Sequence, residues 1–165
     1  MLNYVLIAVV LCAGAGAHAD TLWDAELRFG YGVTRGGAAG AMTTRASPLT
    51  VTAMAAWAFN DDPPLMGYGG LSLETLDRNS IGAVFGVKMA AFGPFHVAAG
   101  GTWIFAPYTL WGATATLGAC KRVGKAVQAC GDLQLVEYFA GTDLPHHHAI
   151  TEAQLAFGIV FDGGQ

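Results

Sequence analysis

The sequence predicts an all-β fold: an eight-stranded antiparallel transmembrane up-and-down β-barrel, preceded by a signal peptide. Three observations predict it. From Thr21 to Val33 the residues Trp23, Ala25, Leu27, Phe29, Tyr31 and Val33 alternate with Asp24, Glu26, Arg28, Gly30 and Gly32. That is the period of a strand with lipid on one side and a polar interior on the other. The chain has 165 residues, of which 53% are hydrophobic and 12% charged, against about 45–50% and ~25% in soluble domains. Further segments of the same kind follow, separated by Gly, Pro, Asp and Asn.

The chain divides into residues 1–19, a signal peptide, and 20–165, one barrel domain. Tyr4 to Leu11 is an apolar core, and Ala17-His18-Ala19 is a small-residue cleavage box. These predict removal of the leader after Ala19 and export to a bacterial outer membrane. The n-region carries no Lys or Arg, and Leu11 before Cys12 argues against lipid attachment there. A net charge of -4 leaves no basic footprint and excludes nucleic acid as an expected partner.

The charge-free run from Met89 to Cys120 is long enough for a membrane helix. It contains Gly93-Pro94, Gly100-Gly101 and Pro107, however, and Gly and Pro cost roughly 1 and 3 kcal/mol inside a helix. Divided at Gly93-Pro94 and Ala106-Pro107, it becomes one strand of membrane-crossing length and the start of another.

After the first strand, the second is Leu49 to Phe59, with Leu49, Val51, Trp57 and Phe59 outward, and the turn Asp61 to Pro64 follows. Tyr68 to Asp77 is the third, with a bulge expected at Gly69-Gly70, Leu71 and Leu73 outward, and Ser72 and Glu74 inward. Ile81 to Ala91 is the fourth, with Lys88 inward, and Phe95 to Phe105 the fifth, with His96 inward. Tyr108 to Ala119, Ala129 to Phe139 and Ala149 to Phe161 complete an even number, as closure without an edge requires.

The cysteines test the register. A hairpin centred near Lys125 sets Cys120 opposite Cys130, Gly118 opposite Asp132 and Thr116 opposite Gln134. This spacing allows a cross-strand disulfide in an exported chain, with a free pair as the alternative. No C-x-x-C motif is present, so the expected role is a structural staple.

This order puts both termini in the periplasm. Outside segments are Thr34 to Pro48, the stretch around Asp77 to Asn79, Ala106-Pro107, and Gly141 to His148. Aromatic residues gather near strand ends: Trp23, Trp57, Phe59, Phe95 and Phe161 at the periplasmic side, and Tyr31, Trp103, Phe105, Trp111 and Phe139 at the other. As architecture, Asp20 to Phe161 resembles the small eight-stranded outer-membrane barrels of the OmpA and OmpX type. The last strand carries the most specific likeness, since Gln154, Ala156, Ile159 and Phe161 fit the assembly signal of such barrels. The resemblance implies the barrel-assembly machinery and outer-membrane lipid as partners. Ala156 stands where Gly is usual, and Asp162-Gly163-Gly164-Gln165 follows the terminal aromatic.

The inward charges Asp24, Glu26, Arg28, Glu74, Lys88, Asp132 and Glu152, with His96, form the expected lumen network. An eight-stranded interior is narrow enough to be filled by side chains. Arg28 and Lys88, the inward cations, are each expected to bridge two or more carboxylates, because an unpaired buried charge is costly. Inward Gly30, Gly32, Gly82, Gly86, Gly100, Gly112 and Gly158 leave open either a cavity or a strongly coiled sheet. His146, His147 and His148 beside Asp143 are metal-capable residue types, but neighbours in an extended segment point apart, so no metal and no cofactor is expected.

The functional expectation is a non-enzymatic integral outer-membrane protein with a structural or surface-interaction role, its surface ligand unnamed by any residue. A narrow small-solute pore or lumenal binder is the alternative. A lipid A-modifying enzyme is third, its one conceivable constellation being Ser72, Glu74 and His96. No catalytic residue is assigned.

Overall fold

The computed structural model describes residues 23–36, 43–61, 64–76, 79–144 and 149–163. The predicted leader and His146 to His148 lie outside the described residues. Among the described residues nine strands form one antiparallel sheet: β1 (Trp23–Gly36), β2 (Thr43–Ala46), β3 (Leu49–Asp61), β4 (Pro64–Thr75), β5 (Ser80–Ala90), β6 (Phe95–Ala106), β7 (Leu110–Arg122), β8 (Val127–Gly141) and β9 (Ile150–Asp162). β2 and β3 both pair with β1, each strand from β3 to β9 pairs with its sequence neighbour, and β9 returns to pair with β1 from Asp24↔Asp162 to Arg35↔Thr151. The sheet is therefore a closed barrel, and among the described residues β2, paired with β1 alone, keeps one unpaired side.

β2 and β3 are two pieces of one hairpin arm against β1, so the barrel has eight staves. Val33↔Ala46 and Gly30↔Thr50 belong to the same ladder, with Ser47-Pro48 as the irregularity between them. Ser47 closes this gap. Its Oγ accepts a bond from Gly32 N at 2.8 Å, and its own N–H donates to Gly32 O at 2.9 Å. Within the outside segment expected from Thr34 to Pro48, Thr34, Arg35 and Gly36 of β1 pair with Arg45, Thr44 and Thr43 of β2, so the ladder extends into it.

Two further expectations are corrected. The third stave begins at Pro64 rather than Tyr68, and Pro is tolerated at a strand's first residue. No bulge occurs at Gly69-Gly70, which pair regularly with Ala55 and Met54. Register shifts lie instead between Ala58 and Asn60, between Ile81 and Gly82, and between Trp111 and Gly112. The extra residue is Phe59, Phe105 or Phe139 respectively, each near a rim, where a bulge re-aims a side chain.

Alternation sorts the two faces as the pleat demands. Phe29, Trp57, Phe85, Val97, Leu117, Leu133, Leu135, Leu155 and Phe157 are exposed on the outside. Glu26, Arg28, Thr52, Ser72, Glu74, His96, Thr114, Asp132, Glu152 and Gln154 are buried inside. Large apolar side chains outside and polar ones inside reverse the order of a soluble domain, and such a surface suits hydrocarbon. Aromatic contacts mark both rims: Trp103 stacks on Trp111 with centroids 4.8 Å apart, and Trp57 meets Phe59 edge-on at 6.3 Å.

Candidate functional site: the lumen and its mouth

Even-numbered positions on eight staves converge on the lumen, and their side chains fill it in layers. The first layer lies toward the end that carries Trp23 and Asp162. Here Arg28 Nε contacts Glu26 Oε1 and lies 3.2 Å from Asp132 Oδ2. Lys88 Nζ is 3.5 Å from Glu26 Oε2, and His96 Nε2 is 3.0 Å from Asp132 Oδ1. The Asp132 side chain is 0% exposed. Neither of its oxygens has an aligned hydrogen bond, so opposite charge holds it rather than directed donors.

Arg28 bridges two carboxylates, as its isolation among acids predicts. Lys88 does not: among the described residues its ion pair is with Glu26, at the limit of contact. Its chain enters from β5, and it shares the mouth of the lumen with Asp24.

The glycine question is answered by what lies over each glycine. A Cβ on Gly118 would stand 1.8 Å from Asp132 Oδ1 and 2.6 Å from His96 Cε1. His96, Gly118 and Asp132 form one register row across β6, β7 and β8, so the central glycine lets its neighbours meet. In the same way Tyr68 lies over Gly86 and Gly100, with its hydroxyl 2.7 and 2.6 Å from where their Cβ atoms would be. Long side chains on one strand occupy the space that glycine leaves on the next.

Farther up, Gln154 Nε2 donates to Glu152 Oε2 at 3.1 Å and to Thr50 Oγ1 at 3.2 Å. Glu74 accepts from Ser80 Oγ at 2.6 Å and from Tyr138 OH at 3.1 Å. An apolar cap of Ile104, Leu110, Val136, Tyr138 and Ile150 packs together toward the far end. Sequence reasoning missed this cap, although its signal was present as apolar residues at inward-parity positions of four consecutive strands.

At the opposite end a cavity of about 190 Å³ remains, lined by Asp24, Lys88, His96, Cys120 and Gln128 among others. Cys120 and Cys130 are joined by a disulfide at this rim, in the register the sequence predicts. Asp162 also acts here. It accepts from Arg122 Nη2 at 2.9 Å and Gln128 Nε2 at 2.8 Å, which ties the β7–β8 hairpin to the end of β9. The residue after the terminal aromatic is therefore a clamp.

Ser72, Glu74 and His96 are not brought together. Ser72 and Glu74 lie toward the far end beside the β4–β5 turn, and His96 lies beside the β5–β6 turn at the other end. Of the last-strand residues, Gln154 and Ala156 face in while Phe161 faces out. Among the described residues no group of His, Cys, Asp and Glu is placed to hold a metal ion.

A solved structure of Neisserial surface protein A matches over 84% of this chain and 96% of its own, at 9% identity and a TM-score of 0.55. The fold is that of an eight-stranded outer-membrane β-barrel. The translocator domain of the autotransporter NalP from Neisseria meningitidis matches over 98% of this chain and 94% of its own, at 10% identity and a TM-score of 0.30. No family model matches the chain, and no curated protein matches it. At such identity the likeness is one of architecture, so the barrel's task rests on its own residues.

Proposed function

We propose that this barrel is a non-enzymatic component of a bacterial outer membrane, with a structural or surface-interaction role. Its leader is removed after Ala19. Outer-membrane lipid surrounds it, and the barrel-assembly machinery inserts it through the last strand. Gln154, Ala156, Ile159 and Phe161 carry that signal. One observation supports the reading above others: buried side chains occupy the lumen at two levels, the Arg28–Asp132 ion pair toward one end and the apolar Ile104–Leu110 cluster toward the other.

The test is conductance of the folded protein in planar bilayers, together with solute permeability of cells lacking it. Electrical silence and unchanged permeability are expected. Discrete channel openings would sink this reading in favour of a pore. Loss of acyl chains from lipid A on expression in a host with unmodified lipid A would replace it with an enzyme.

A further inference from the structure

The mouth at the termini end surrounds its disulfide with more than a staple requires. Cys120 lines the cavity there, whereas Cys130 is 1% exposed. A reagent entering from this end therefore meets the Cys120 sulfur first. His96 Nδ1 lies 3.6 Å from that sulfur, and its other ring nitrogen lies 3.0 Å from Asp132 Oδ1. Sulfur, imidazole and carboxylate come from β7, β6 and β8 and stand in sequence. The carboxylate faces the ring through close approach rather than an aligned hydrogen bond, and the imidazole is the polar group that meets the sulfur.

We propose that Cys120 is a thiol-exchange site that takes up a small thiol at this mouth. A thiolate RS⁻ attacks Cys120 Sγ. The new RS–Sγ bond forms as the Cys120–Cys130 bond breaks, and Cys130 departs as a thiolate that takes up the proton RSH lost. A second RS⁻ attacks the sulfur of the attached R group, giving RSSR and freeing Cys120 as a thiolate that accepts the second proton. Two thiols are oxidised and the bridge is reduced by two electrons; RSSR reverses the sequence. His96 Nδ1 faces the sulfur released in the second step and stabilises it there, with Asp132 close behind the ring. The cavity's size favours a small molecule over a protein dithiol.

The test equilibrates the full folded protein in detergent micelles with cysteine/cystine buffers of graded ratio. Acid quenching, thiol tagging and peptide mass spectrometry then locate each sulfur's partner. A cysteine adduct on Cys120 rather than Cys130 is expected while the unboiled protein keeps its folded gel mobility. His96→Gln is expected to lower the equilibrium constant for reduction at least tenfold, about 30 mV for a two-electron couple. A bridge that resists cysteine until the barrel unfolds, an adduct on Cys130, or an unchanged constant in a folded His96→Gln variant would each overturn the proposal. If that variant fails to fold, the adduct's position in the unaltered protein decides alone.

Discussion

Arg28 on β1 and Asp132 on β8 lie 3.2 Å apart although β9 runs between them. They meet over Gly158, the β9 residue in register with Arg28, where a Cβ would stand 3.1 Å from Arg28 Cγ. An ion pair that spans a strand couples three staves at one level. Asp132→Ala leaves a buried guanidinium short of one partner, and a loss of about 3–5 kcal/mol is expected. Urea unfolding in lipid vesicles measures it; a loss below about 1 kcal/mol would mean the pair does not hold the lumen together.

Gly118 and Gly131 face opposite ways and should respond oppositely to a methyl group. At Gly118 the methyl meets Asp132 and His96, whereas nothing lies within 4 Å of a Cβ at Gly131. Gly118→Ala is expected to cost about 1–3 kcal/mol through overpacking. Gly131→Ala is expected to stay within about 0.5 kcal/mol. Equal responses would contradict the assigned faces.

Leu155 is 72% exposed and its neighbour Gln154 is 3% exposed. Spin labels at the two positions in bilayers should differ, with high oxygen accessibility at 155 and low at 154. Leu133→Arg, within the apolar belt, is expected to cost about 2–4 kcal/mol if it lies near the bilayer midplane. Glu137→Gln should cost little, because Glu137 shares a register row with Thr151 and Arg35 near the far rim.

Tyr138 donates to Glu74 beneath the apolar cap. Tyr138→Phe keeps the ring and removes the donor to a buried carboxylate. The expected loss is about 1.5–3 kcal/mol, the range for a hydrogen bond to a charged group. The barrel should stay silent in planar bilayers, since the cap's apolar side chains remain.

The extent to which each feature is legible follows its range along the chain. The Cys120–Cys130 register is readable because one short hairpin sets it, and the structure repeats it through Gly118↔Asp132 and Thr116↔Gln134. Inward and outward sets are readable because the side-chain period is two. The three Phe bulges are not, since an extra residue near a rim leaves the surrounding alternation looking normal. Nor is Asp162, which reads as part of a tail until Arg122 and Gln128 arrive from another hairpin.

By itself the chain's order of residues determined which side chains meet oil and which turn inward, because pleat geometry is local and lipid tolerates few charges. Closure alone decided which inward groups touch. Arg28 finds Asp132, His96 stands between a carboxylate and a sulfur, and Tyr68 fills the space over two glycines, because a ring of tilted strands brings distant parts of the chain to one depth. Partnerships inside a barrel depend on shear and curvature, and these belong to the whole sheet rather than to any single strand.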